Sequence, residues 1–184
     1  MIYSYAYLFM LLPSPRERER IAATTGLVGP MRSLILRHQL HMSLAEIADL
    51  PERCLEMAAI ARRALANHRL RACTFALGRL AVEPGIARLE TIGRRAELNA
   101  LRSDLTDLLL AAGMPPSWRK TFAPHVTLGR GVLSRDRRPI DPIFWHADRI
   151  ALIESWRGET RHEILETWPL LPPIQGRFDF GLAA

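Results

Sequence analysis

The sequence predicts an α+β fold assembled from two similar halves. Three observations carry that reading. The opening residues alternate aromatic and aliphatic side chains, two later stretches have the strand–turn–strand pattern of hairpins, and one tetrad is written twice. The tetrads are His41-Met42-Ser43-Leu44 and, 84 residues on, His125-Val126-Thr127-Leu128. A strand–helix element precedes each, which amounts to a rough internal duplication.

Residues 2–12 read as a buried strand, with Tyr3, Tyr5, Tyr7 and Phe9 on one face. Ala6, Leu8, Met10 and Leu12 fall on the other. A helix follows in "PSPRERERIAATTG", where Ser14 is the N-cap, Pro15 the first helical residue and Gly26 stands near the end. Residues 38–47 read as the strand of the first tetrad. "DLPERCLEMAAIARRALANH" has a capping-box spacing, Asp49 then Glu52, and a face of Leu55, Ala58, Arg62 and Leu65.

The second half begins with a hairpin over 71–93, turning at Pro84-Gly85. A helix from about Arg94 to Ala112 places Leu98, Leu101, Leu105, Leu108 and Leu109 on the core side, with Gly113 as its stop. "MPPSWRK" is a loop, residues 122–131 are the second tetrad strand, and "GVLSRDRRPIDP" is a polar loop. "FWHADRIALIESW", "RGET" and "RHEILETWPL" read as a closing hairpin, and 171–184 as a loosely packed tail.

No linker divides these 184 residues, so a single domain is expected, and 48% hydrophobic with 24% charged residues is ordinary globular composition. The net charge is +6, nearly all of it arginine, since Lys120 is the only lysine. Guanidinium groups favour anionic partners, phosphate in particular. Cys54 and Cys73 lack the spacing of a zinc knuckle or disulfide framework. The apolar start has no basic n-region and is too short to cross a bilayer, so a cytoplasmic protein without a membrane partner is expected.

The tetrads carry the chemistry. Residues i and i+2 of a strand share a face, so His41 joins Ser43 and His125 joins Thr127, while Met42, Leu44, Val126 and Leu128 turn to the core. Two such strands side by side line a cleft with two imidazoles and two hydroxyls. Imidazoles titrate near 6.5, so one serves as base while the other, protonated, serves as acid. The hydroxyls donate to an anionic oxygen, and Arg130 adds a charge-assisted contact. That set suits attack on a phosphodiester. One tetrad alone is a weak signal; the pair is strong.

These residues resemble the 2H phosphoesterases, a family named for two H-x-[ST]-x motifs, and within it the 2′-5′ RNA ligase group of RNA 2′,3′-cyclic phosphodiesterases. "YLFMLLP" is similar to the family's opening strand, "LHMSL" to its first motif, "KTFAPHVTLGR" to its second and "RGETRHEILETWPL" to its closing hairpin. The resemblance implies a bilobal fold of two antiparallel-rich sheets with outer helices around a central cleft, the lobes related by a pseudo-two-fold axis. It implies cofactor-free and metal-independent opening of a 2′,3′-cyclic phosphate to a 2′-phosphate, with His41 as acid and His125 as base. Ser43, Thr127 and Arg130 would hold the phosphate. Phe9 falls where relatives carry an aromatic that stacks on a base. RNA ends or small cyclic nucleotides are the implied partners, and a monomer is expected.

There are departures: Ser43 stands for the commoner threonine, and His162 for a usual tyrosine. Competing readings are a related phosphoester, such as a 2′-5′ oligonucleotide or an ADP-ribose cyclic phosphate, and a nucleotide- or RNA-binding protein without turnover. A zinc site at His38, His41 and His125 finds no acidic or cysteine ligand at metal spacing. His38 reads as a strand-edge residue on the face opposite His41.

Overall fold

The computed structural model describes residues 4–117, 122–159 and 161–173. Tyr3, Trp118, Lys120 and residues 174–184 of the expected tail lie outside them. Two antiparallel sheets form the framework of the described residues. One has four strands in the order β3 (Met42–Leu50), β1 (Ser4–Leu11), β8 (Arg149–Arg157), β9 (Arg161–Pro169). The other has five, in the order β2 (Ser33–Leu34), β6 (His125–Arg130), β5 (Ile86–Ile92), β4 (Cys73–Glu83), β7 (Asp136–Ala147). The α+β class and the two antiparallel sheets are as expected.

The alternation of β1 decides which way the first sheet faces. Tyr7, Phe9 and Leu11 are fully buried in the main core, whereas Met10 packs with Ala151, Ile153, Leu8 and Leu12 in a separate cluster on the other face. The three helices add their apolar stripes to the main core. Helix α1 (Pro15–Ala23) contributes Ile21 and opens with a complete capping box between Ser14 and Glu17. Helix α3 (Ala96–Ala111) contributes Leu98, Leu101, Leu105 and Leu109, one stripe at helical spacing. Its stop is Gly113, held at φ +73 where a side chain would be strained. No helix among the described residues is long and apolar enough to cross a membrane.

Three boundaries differ from the sequence reading. Helix α2 spans only Met57–Ala64 and has no side-chain cap. Asp49 lies instead in β3, paired with Arg157 at 2.9 Å, and Leu55 is exposed. The buried stripe is Met57, Ala61 and Leu65, while Arg62 pairs outward with Glu166. The expected polar loop after Gly131 gives way at Asp136 to β7, whose backbone pairs with β4. The run "FWHADRIALIESW" is therefore not one arm of a hairpin. It is cut at Asp148, with β7 in the five-stranded sheet and β8 in the other, so that β8 and β9 alone form the closing hairpin.

Candidate active site

Both tetrads are built to the same local plan, and it is more detailed than their sequence. His41 lies just ahead of β3, after a 3-10 turn at Arg37–Gln39, rather than inside a strand that begins at 38. His38 sits on that exposed turn, not on a strand edge. His125 opens β6. In each case the ring Nδ1 lies against the backbone carbonyl two residues earlier, Gln39 O at 2.6 Å and Ala123 O at 2.8 Å. A carbonyl only accepts, so Nδ1 carries the hydrogen and donates. The nitrogen left for chemistry is Nε2, in both rings.

The register repeats too. Partners of β3 pass from Met10↔Ser43 to Phe9↔Ala45, and partners of β6 from Arg88↔Thr127 to Ala87↔Gly129. The residue skipped is Leu44 in one and Leu128 in the other, the fourth position of each tetrad. Both are β-bulge residues with buried side chains, a device that re-aims neighbouring side chains beside functional sites. Met42 and Val126, fully buried, anchor the second position. Ser43 is exposed and Thr127 half-buried, and no side-chain hydrogen bond engages either hydroxyl among the described residues. Both hydroxyls are free to meet a ligand.

The first histidine is tied to the strand of the second. β2 pairs with β6 at Ser33↔Arg130 and Leu34↔Gly129, and Ile35 N donates to Leu128 O at 2.9 Å. Six residues later the chain reaches His41. The outer edge of β3 is occupied as well: Arg102 Nε donates to Leu44 O at 3.2 Å and Ser117 N to Glu46 O at 2.7 Å. These two contacts cover part of the edge of β3 and link it to the second half.

Charge couples His41 to His162, His125 and Arg130. His41 has its pKa lowered from 6.5 to about 4, chiefly because burial disfavours its cation. The hydrogen bond to Gln39 O opposes that, whereas positive charge on His162, His125 and Arg130 adds to it. His41 is therefore neutral at pH 7. No ion pair joins Arg130 to an acid among the described residues, so its charge is available. Along the same face of the five-stranded sheet, Thr127 stands across from Arg88 and His125 across from Glu90. Arg88 and Arg137 hold the Glu90 carboxyl below its ordinary range, although burial pulls the other way.

Two sequence expectations change here. Phe9 faces the core, with no exposed area and its ring 5.7 Å from that of Trp168, so it stacks on no ligand. The alternation expected for β1 holds, but the face carrying Phe9 is the helix-covered one. His162, whose role the sequence leaves in doubt, stands edge-on to His41 with ring centroids 5.3 Å apart. Register puts the two at opposite corners of the four-stranded sheet, since Leu11 pairs with Met42 while Ala6 and His162 both pair with Ser155. Only a strongly coiled sheet lets such corners meet.

Residues 13–159, which include both tetrads, match the model of the 2′-5′ RNA ligase superfamily. No curated protein matches the chain. Among solved structures, E. coli LigT complexed with 3′-AMP is similar over 91% of this chain and 98% of its own, at 20% identity and a TM-score of 0.72. TT0787 of Thermus thermophilus is similar over 90% and 97%, at 19% identity and a TM-score of 0.69. A structure described as a phosphoesterase is 22% identical over 90% of this chain and 98% of its own, with a TM-score of 0.69. At these identities the likeness establishes a shared fold.

Proposed function

Because the chain belongs to the 2′-5′ RNA ligase superfamily, whose business is phosphoester chemistry, we propose that it is a metal-independent phosphodiesterase opening 2′,3′-cyclic phosphates at RNA ends or on small nucleotides. The observation that carries this reading is the matched anchoring of His41 and His125. Each donates Nδ1–H to its own i−2 carbonyl and leaves Nε2 free, and His125 and Arg130 are both near enough to His41 for their charge to lower its pKa. Two imidazoles presenting the same nitrogen are what an in-line displacement with separate base and acid requires. That E. coli LigT binds 3′-AMP, ATP and NADP+ supports a nucleotide as the ligand of such a cleft.

In the proposed reaction His125 takes a proton from water, whose oxygen attacks phosphorus opposite the 3′ oxygen. The P–O3′ bond breaks, His41 gives its proton to the departing oxygen, and a 2′-phosphate and a 3′-hydroxyl result. Arg130, Ser43 and Thr127 hold the non-bridging oxygens, so that charge developing there meets fixed donors. His41 on its own is held neutral, chiefly by burial. It takes up the proton it needs when the substrate anion lies beside the ring and favours the cation that burial disfavours.

Hydrolysis of a 2′,3′-cyclic nucleotide tests this directly. His41→Ala and His125→Ala should each lower kcat by about 100-fold or more, the scale of a lost acid or base. Full activity in either variant contradicts the assignment. EDTA should leave turnover unchanged; loss that zinc restores would replace acid–base catalysis with a metal site. Tight binding of the cyclic nucleotide with no product would instead make the chain a binding protein.

A further inference from the structure

We infer that His162 is a third imidazole of the anion site, binding phosphate oxygens as a cation beside His41 and Arg130. The inference rests on the phosphoester reading above and adds to it a residue for which the sequence offered no role.

Its position comes first. His162 lies near the start of β9, paired with Ser155 of β8, and it is half-buried. Its neighbours in sequence point elsewhere: Arg161 lies over the Trp156 ring at 4.0 Å, and Glu163 pairs with Arg53 at 3.2 Å. His162 alone of the three faces His41, the two rings meeting edge-on at 5.3 Å.

Its hydrogen bonding comes second. The Nδ1 atoms of His41 and His125 are committed to backbone carbonyls, which leaves each ring one working nitrogen. No hydrogen bond engages either nitrogen of His162 among the described residues, so both are free to donate to a ligand. Two free donors on one ring suit binding better than proton transfer, which calls for a fixed tautomer and a fixed orientation.

Charge comes third. The groups that face His162 are His41 and His38 from the segment before β3, and Arg130 from β6. All are basic, and no carboxylate pairs with any of them among the described residues. Burial and the positive charge of His38 and Arg130 keep His162 below the ordinary imidazole range. An anion reverses the balance. A phosphate between His41 and His162 makes the cation the favoured form of both rings, so anion and protons bind together.

Calorimetric titration of inorganic phosphate into the full chain, in two buffers of different ionisation enthalpy, reads the protons taken up. At pH 7 the wild type is expected to take up more than one proton per phosphate, and His162→Tyr to take up about one fewer. Phosphate affinity in H162Y should fall about tenfold at pH 6 and change less than twofold at pH 8. Equal uptake and equal affinity in the two proteins would overturn the inference, as would a wild type that binds no phosphate. If H162Y fails to fold, imidazole NMR of the wild type decides, since phosphate must convert the His162 signals to the cationic pattern and unchanged signals refute it. Neither readout requires turnover. Expected results with no cyclic nucleotide hydrolysis would remove the enzyme reading and keep this one; turnover with phosphate-insensitive His162 would do the reverse.

Discussion

Gly129 offers a test of how the two tetrads are held together that leaves every chemical group in place. It lies in β6 two residues after Thr127, and β2 passes close above it. A Cβ built there runs into Met31 Sδ and stands 2.9 Å from Ser33 O. The methionine end can swing aside, but the Ser33 carbonyl is backbone and must retreat about 0.5 Å to reach ordinary contact at 3.4 Å. Overpacking of that kind costs about 1–3 kcal/mol. The retreat also falls on the segment that leads directly to His41. A 1 Å misplacement of a catalytic group costs about 100-fold, so a partly transmitted half-ångström is worth roughly tenfold in kcat. Gly78→Ala is the control. Its Cβ meets the Ile92 side chain, Cδ1, Cγ1 and Cγ2, with no backbone among its three nearest atoms, on the far side of β5. Thermal unfolding and 2′,3′-cyclic nucleotide hydrolysis are measured on both. Gly129→Ala should lose stability and activity, and Gly78→Ala stability alone. Undiminished kcat in Gly129→Ala, or an equal loss in Gly78→Ala, refutes the idea that β2 positions the first histidine.

Other predictions follow from single sites. Glu154 is buried at 1% exposure and accepts from Tyr7 OH at 2.8 Å, Arg53 Nε at 2.8 Å and Trp156 Nε1 at 3.0 Å. Replacing it with glutamine weakens charge-assisted bonds, and with Arg53 able to rehydrate the cost is about 2–3 kcal/mol. That should lower Tm by roughly 5–10 °C, and an unchanged Tm would mean the carboxylate is dispensable. His41 makes stability depend on pH. Its folded pKa of about 4 lies below the unfolded 6.5, so the unfolded chain binds the proton more tightly and stability falls as pH drops from 6.5 towards 4. At pH 5 this amounts to about 1–2 kcal/mol, and His41→Gln should shrink the Tm difference between pH 7 and pH 5 by a few degrees. An identical pH dependence in the two proteins would show that His41 titrates normally.

The features legible in the sequence are those set by local periodicity. The N-cap at Ser14, the hairpin at Pro84-Gly85 and the leucine stripe of α3 need only near neighbours, and each is present in the fold. The start of α2 departs from expectation because Asp49 and Glu52 copy a capping box by spacing, while long-range pairing with Ala6 of β1 places Asp49 in a strand. The crossing at Asp148 leaves no trace, because one residue suffices to pass from sheet to sheet and both flanks alternate as a single strand would. Within the candidate site, the two tetrads announce themselves by repetition. Phe9 falls on the unexpected side since alternation says which residues share a face, not which face is covered. The bulges at Leu44 and Leu128 depend on cross-strand register, and the approach of His162 to His41 on the coil of a whole sheet, so neither can be read along the chain.

The most direct test of the account is a crystal structure of the protein grown with phosphate. One anion is predicted between the tetrads, with oxygens within hydrogen-bonding distance of His41 Nε2 and His125 Nε2 and of the Arg130 guanidinium. Phosphate bound elsewhere while the two Nε2 atoms point into separate spaces, or into packed side chains, would contradict it.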